Sequence, residues 1–455
     1  MSVKRGMTGE QKLLLVYLTI YLIAALTLAF CQPLHGTDSL CNPPDEHSRY
    51  RVPLYICNHG TLPTGFEEEL FSEDVKWTYG FYTLLPYILQ GLAMRCVNLF
   101  TDSPLALLYA ARMVNVICGL MMAYLVTRIG ERLFRDRCMK WLFCFLVTFL
   151  PQSLFLHTYV NPDSLCLFST ALMIYGLLRG YGDQFSLKSC GLLAAGVILC
   201  TLSYYNAYGF ILSSILLFTA YFFKKEDGKW HFSVGMFLRR GLLIAGVVIL
   251  CTAWSFVRNY LLYDGDVIGL ATKEAFVKSF GTVRETYQSR GESLFAMLTG
   301  TPFFPKLLVS FIACYGSAKI YTWIVIYIGY GLLFAAGLFG AVFCKKQETT
   351  LPVRQRGQRI FFHINLIFCI AMPLILTIRY AYTVDYQAQG RYIMPGLIPI
   401  MYYVCLGLQS LPFLRKCSEK RKNILVAAAM ALTVAAVLVT VFLVALPIYL
   451  KESVL

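Results

Sequence analysis

The chain has 455 residues, of which 58% are hydrophobic and 14% charged, and its mean hydropathy is +0.61. A soluble domain is usually about half apolar, so this composition excludes one and points to a polytopic membrane protein. The formal net charge of +15 does not signal nucleic acid, because the basic residues cluster in short loops between apolar blocks and report topology.

The first apolar block, "KLLLVYLTIYLIAALTLAF", is too long for a signal peptide and has no small-x-small cleavage site after it, so it reads as a retained span over 11–31. Further blocks of the length a helix needs to cross roughly 30 Å of hydrocarbon lie at about 104–127, 141–157, 163–179, 189–204, 207–223, 241–257, 320–343, 360–380, 391–411 and 424–448. Each must satisfy its own backbone hydrogen bonds, so the expected fold class is an all-α polytopic bundle of about eleven transmembrane helices. Nothing marks off a separate soluble domain, and 1–455 reads as one transmembrane unit.

This spacing puts the strongly basic connections "RIGERLFRDRCMK", "KKEDGKWHFSVGMFLRR", "KKQETTLPVRQRGQR" and "RKCSEKRK" on one side. With Lys4 and Arg5 they mark a cytoplasmic face and a cytoplasmic N-terminus. The opposite, extracytoplasmic face receives the first outer loop (32–103), "HTYVNPD" (157–163), the long outer loop (258–319) and "YTVDYQAQG" (382–390). Residues 32–76 carry eight acids against three bases. The block at 77–100 is apolar enough to span, but a crossing there would put the basic loop at 128–140 outside. It is therefore expected to form an interfacial helix or hairpin, with Trp77, Tyr79 and Tyr82 at headgroup depth.

Most of the sixteen cysteines lie inside apolar blocks and behave as small hydrophobes. Cys41 and Cys57 share the first outer loop and are expected as free thiols. His47, His59 and His157 stand in separate contexts without ligand spacing and are expected to be satisfied polar residues.

The chemistry collects at the outer face. Asp45 and Glu46 stand together in "NPPDEHSRYRVPLYICNHGTLP", after prolines that fix the approach of the chain. Alone, such a pair could be a solvated loop. Asp163 in "VNPDSL" faces outward after a second Asn-Pro, where it could serve a site or simply start a helix. Arg391 opens a span in "DYQAQGRYIMPGLIP", with Gln389 and Tyr392 beside it; a guanidinium there can grip a lipid phosphate bidentately or snorkel. Arg258 and Asn259 in "VRNY" offer a further donor cluster or a helix end satisfying its last carbonyls. Two carboxylates from separate loops would suit Mg²⁺ or Mn²⁺, although no denser ligand set demands a metal. The polar run 281–293 is expected to form a mobile cover.

The acidic pair in the first outer loop, the "NPD" of the second and the "QGRY" opening a late span resemble the GT-C superfamily of integral-membrane glycosyltransferases. The closest likeness is to a bacterial family of predicted membrane glycosyltransferases of unknown function. "WSFVRNYLLYDGDVIGL" (254–270) and "SFIACYGSAKIYTWIVIYIGYG" (310–331) resemble that family too, although an expected aromatic-glycine pattern is eroded to "CYG". The likeness runs from the first span to about residue 411.

The resemblance implies a GT-C-like bundle with juxtamembrane helices in the first and a later outer loop. It implies a polyprenyl-phosphate sugar as donor, inverting transfer on the outer face of the cytoplasmic membrane, and an envelope glycan or other hydroxyl as acceptor. In that frame Asp45 is the expected base, Glu46 its alternate, Asp163 a partner in the same cavity, and Arg391 the phosphate grip with Gln389, Tyr392, Arg258 and Asn259 in support. Rival readings are a transporter or flippase of lipid-linked saccharides, whose ionisable groups should lie near mid-membrane, a lipid-linked-glycan polymerase or ligase using Arg284 and Arg290 of the long loop, and a noncatalytic scaffold.

Overall fold

The structure is a computed structural model that describes residues 7–34, 41–71, 78–226, 229–281, 285–344, 351–353 and 355–452. Trp77, Arg284, Lys4 and Arg5 lie outside the described residues.

The chain enters the bundle through α1 (Gly9–Cys31). Thr8 and Gln11 cap it reciprocally, the Thr8 hydroxyl accepting from the Gln11 amide N–H at 3.3 Å and the Gln11 side chain accepting from the Thr8 N–H at 2.9 Å. Twenty-three residues at 1.5 Å each give about 34 Å, enough to cross the hydrocarbon.

The first outer loop holds α2 (Glu46–His59) and α3 (Leu85–Asn98), and α4 (Pro104–Leu133) returns through the bundle. The fourteen residues of α3 give about 21 Å, too short to span, and α3 packs instead on α2 and α4 over a small apolar core of Val52, Ile56, Tyr87, Met94 and Leu108.

The segment 141–157 is interrupted. It comprises α5 (Arg137–Thr148) and α6 (Pro151–Leu156), because Pro151 cannot continue a helix and its predecessor Leu150 is extended. Then follow α7 (Asp163–Asp183), α8 (Leu187–Thr201) and α9 (Tyr208–Tyr221). The basic loop after α9 forms a two-stranded antiparallel hairpin, β1 (Phe223–Glu226) and β2 (Lys229–Phe232), with Phe223 opposite Phe232.

Next come α10 (Val234–Leu262), α11 (Leu270–Ser279), α12 (Leu294–Gly300), α13 (Phe303–Ile312), α14 (Ile324–Phe343) and α15 (Arg356–Thr383). A 3₁₀ turn (Gly390–Gly396) leads into α16 (Leu397–Ser410), followed by α17 (Pro412–Lys416), α18 (Glu419–Leu438), a π turn (Val439–Ala445) and α19 (Leu446–Glu452).

All eleven apolar segments expected as spans are helical. Among the described residues eight helices are long and apolar enough to cross a membrane, or nine if α12 and α13, bent by 63°, count as one. The expected spans at 141–157, 189–204 and 207–223 are shorter helices packed into the bundle. This is a polytopic, nearly all-helical membrane protein.

Burial sorts the helices. The apolar window of α7 is 83% buried, whereas no residue in that of α10 is fully buried, and α10 meets the core through half-buried Phe237, Ile244 and Val248. One core runs from Tyr17 on α1 to Tyr449 on α19. The backbones of α14 and α16 touch, so a Cβ at Gly407 would fall 1.7 Å from the Gly337 carbonyl oxygen.

The loops gather at two ends of the bundle. At one end Glu10 pairs with Arg137 and Lys140, Asp136 pairs with Lys422, and Gln358 donates to the carbonyls of Ala220 and Phe223. At the other, Arg258 donates to the Pro63 carbonyl, Tyr263 to the Thr64 carbonyl, Thr83 to the Ser203 carbonyl and Ser317 to the Asn42 carbonyl. The basic connections meet at the first end and the acidic loops at the second.

Candidate active site

The second end carries the charge cluster. Pro43 and Pro44 are buried and lead into Asp45, which precedes α2 in the left-handed region at φ 62°. A non-glycine residue held there is strained by roughly 1–3 kcal/mol, although Asp tolerates the conformation better than most. The strain does not serve a cap, since the Asp45 side chain makes no capping hydrogen bond to α2. Its Oδ2 instead accepts from Arg391 Nη2 at 2.6 Å, across 346 positions of sequence, and from Arg49 Nη2 at 3.4 Å.

The two guanidinium side chains are 4% exposed, the Asp45 side chain 36%. Asp45 is the open carboxylate of the cluster. Burial pushes its carboxyl up, but the positive charges of Arg391 and then Arg49 outweigh that effect and hold it at about 2.

Glu46, one residue on, lives in a different environment. Its carboxylate is fully buried and gripped bidentately by Arg112, at 2.9 Å from Nε and 2.5 Å from Nη2, while the Val160 N–H donates to it at 2.7 Å. Arg112 also donates to the carbonyls of Ala29 and Gln32. This fork ties the end of α1 to the start of α2, to α4 and to the 157–163 loop, and Glu46 accepts three hydrogen bonds, two on Oε1 and one on Oε2.

Asp163 is the first residue of α7, yet Asn161 does the capping: its Oδ1 accepts from the Ser164 N–H at 3.0 Å. The buried Asp163 carboxylate is left to accept from Arg49 Nη1 at 3.3 Å. One guanidinium thus bridges acids from the first and second outer loops. Arg49 also lies over the Tyr79 ring, 4.9 Å from its centroid, which favours a fixed cation.

Arg391 sits in the 3₁₀ turn that opens α16. The Gly390 N–H donates to Ser310 Oγ at 2.7 Å, and a Cβ at Gly390 would fall 2.1 Å from the Phe311 nitrogen, so only glycine lets the turn lie this close to α13. Arg391 Nη2 also donates to the Tyr392 hydroxyl at 3.1 Å; that hydroxyl donates to Gln387 Oε1 at 2.5 Å, and Gln387 Nε2 to Asp385 at 2.7 Å. Gln389 donates to Gln387 at 3.3 Å rather than to Arg391. Arg391 Nε and Nη1, Arg49 Nε and the hydroxyls of Tyr87 and Tyr159 are buried with no hydrogen-bond partner among the described residues.

Of the expected site residues, Asp45, Asp163, Arg391 and Tyr392 converge, with Gln389 at the margin. Arg258 and Asn259 do not join them. Arg258 holds the Pro63 carbonyl at 2.5 Å and Asn259 the Val267 carbonyl at 3.2 Å, fastening the end of α10 to the outer loops. The stretch after the undescribed residues 282–284 docks on α15: Gln288 N–H donates to the Tyr382 carbonyl and Tyr382 Oη to the Glu292 carbonyl. His47 meets Arg51, His59 meets Glu69 and His157 meets Ser164, each apart from the others.

Sequence reading missed Arg49, Arg112 and Gln387. For Arg112 the signal was present, a charge within an apolar block.

The residues present do not fit a divalent ion. Arg49 stands between the two carboxylates that would share one, Glu46 is already taken, and among the described residues no three His, Cys, Asp or Glu side chains converge. The arrangement can do other chemistry: it offers an open carboxylate beside buried cationic donors that lack an acceptor. A cavity of about 320 Å³ lies at the opposite end, lined by Arg415, Glu419 and Lys422 and remote from Asp45.

Several solved structures resemble the chain over nearly its whole length, two of them with a lipid phosphate bound. ArnT from Cupriavidus metallidurans, bound to undecaprenyl phosphate, matches at 12% identity and TM-score 0.54, over 97% of this chain and 76% of its own. The oligosaccharyltransferase AglB from Archaeoglobus fulgidus, in complex with an inhibitory peptide and a dolichol-phosphate, matches at 13% identity and TM-score 0.51, over 95% of this chain and 56% of its own. This chain therefore spans little more than half the length of the archaeal protein. The likeness shows the fold, which is that of the GT-C glycosyltransferases. A search of the curated proteins found no significant match. Residues 67–401, well over half of the chain, match the family described as Predicted membrane protein (DUF2142), and the chain belongs to that family.

Proposed function

We propose that this protein is a glycosyltransferase that moves a sugar from a polyprenyl-phosphate-linked donor to an acceptor hydroxyl, on an envelope glycan or other glycoconjugate, at the outer face of the cytoplasmic membrane. The observation that carries the reading is the 2.6 Å contact between the open carboxylate of Asp45 and Arg391, whose Nε and Nη1 are buried without an acceptor among the described residues. A buried donor left unpaired costs about 1–3 kcal/mol, so this edge favours an anionic acceptor, and a phosphate offers the matching oxygens. The lipid phosphates bound by the two structural neighbours support that choice. The gathering of the basic loops at the opposite end supports the outward placement.

The transfer balances as a single displacement. The acceptor oxygen forms a bond to the anomeric carbon as the bond from that carbon to the phosphate oxygen breaks, which inverts the centre. The acceptor proton passes to Asp45, and the polyprenyl phosphate leaves on Arg391. Asp45 and Arg391 touch, so no substrate fits between them; the donor phosphate engages the unpaired edge of Arg391 and draws it from Asp45. Loss of that positive charge makes Asp45 a stronger base only when the donor is in place. Asp163 and Arg49 set its position, Tyr392 and Gln387 that of Arg391.

The test is transfer from a synthetic polyprenyl-phosphate sugar by purified protein. Asp45→Asn is expected to lower the rate by about 10² to 10⁴. Full turnover in that variant removes Asp45 from the chemistry.

A further inference from the structure

Two carboxylates from different loops, Asp45 before α2 and Asp163 opening α7, face one another across a single side chain, Arg49. We propose that Arg49 is a built-in cation that takes the place of a divalent ion between these acids, so that the site neither needs nor admits Mg²⁺ or Mn²⁺. The consequence for turnover rests on the glycosyl-transfer reading; the consequence for metal binding does not.

Nη2 of Arg49 lies 3.4 Å from Asp45 and Nη1 3.3 Å from Asp163, so one planar fork spans both acids. The fork is held in place: its side chain is 4% exposed, it lies over Tyr79, and the Arg49 N–H closes the first turn of α2 on the Asp45 carbonyl at 2.9 Å. A guanidinium does not deprotonate in proteins, so it cannot leave the site by neutralising.

The ligand set is also spoken for. Asp45 carries a second guanidinium, Arg391, at 2.6 Å, and Glu46, next in sequence, is consumed by Arg112 and the Val160 N–H. A hard cation requires several oxygens at about 2.0–2.6 Å. Here it would meet two carboxylates already facing two positive charges. What a metal would otherwise supply, a fixed charge holding both acids ionised and Asp45 in position, is covalently attached to α2.

The test uses Mn²⁺ as the probe, with paramagnetic resonance on the purified full chain in nanodiscs and no donor present. Wild type is expected to bind no Mn²⁺ that Asp163→Asn removes, and Arg49→Ala to gain one bound Mn²⁺ per chain that is lost again in Arg49→Ala/Asp163→Asn. Mn²⁺ bound by wild type and abolished by Asp163→Asn overturns the proposal, as does a folded Arg49→Ala that gains none. The wild-type comparison needs no Arg49 variant and decides even if that variant does not fold. A wild type that excludes Mn²⁺ yet transfers no sugar overturns the transfer reading alone.

Discussion

Asp45 and Glu46 are neighbours in sequence with opposite fates, and the difference is measurable. Glu46 is fully buried against Arg112, and removing one partner of such a pair leaves a charge uncompensated, at a cost of about 3–5 kcal/mol. Glu46→Gln is therefore expected to lower the denaturation midpoint sharply while sparing the chemistry of whatever protein stays folded. Asp45→Asn removes one acceptor from Arg391 and Arg49, so it should lower the midpoint too, by less than Glu46→Gln because Asp45 is partly open, and abolish the chemistry in protein that stays folded.

The pH dependence follows from the same environment. The folded-state value of Asp45 is held below its ordinary one, so the stability its ionisation contributes is present above the ordinary value and is lost as pH falls through about 2. The kcat/KM of the free enzyme should accordingly show no acid limb between about pH 3 and about pH 6, and Arg391→Gln should bring one into that window. A wild-type acid limb near pH 5 would show that Asp45 is not the base. Asp45, Asp163 and Arg391 were legible in the sequence because charges at the ends of apolar blocks are conspicuous. Arg49 was not, because a charge inside a polar loop reads as solvated until its partner, 114 positions away, is seen.

At the scale of elements, apolar length told where helices form, and local sterics decided where they stop. The block 141–157 reads as one span, yet Pro151 splits it into α5 and α6. Block length cannot convey that three of the expected spans are 18 residues or fewer in all and depend on neighbours for burial, nor that a basic loop folds into a hairpin of strands. The element that matters most to the site is the 3₁₀ turn before α16, pressed on α13 at Gly390. Gly390→Ala forces the turn away, and a misplacement of about 1 Å in a positioning element can cost about 100-fold. Turnover should fall by that order with helix content by circular dichroism unchanged; unaltered kinetics would mean that the turn is free to move and does not position Arg391.

At the scale of the molecule, the bundle brings together loops remote in sequence and separates charge by sign and end. The acids and their guanidinium partners gather where α1 finishes, and the basic connections where it starts, about 34 Å away. Hydropathy and charge counting conveyed this polarity; the pairing across 346 positions needed the fold. The central claim is that Asp45 and Arg391 act as one unit on a lipid-held phosphate. The measurement that tests it most directly is a double-mutant cycle on kcat/KM for a polyprenyl-phosphate sugar, with Asp45→Asn, Arg391→Ala and the double variant. Groups that work as a unit are strongly non-additive, so the double variant is predicted to be little slower than the worse single one. Losses that simply multiply would contradict a shared role.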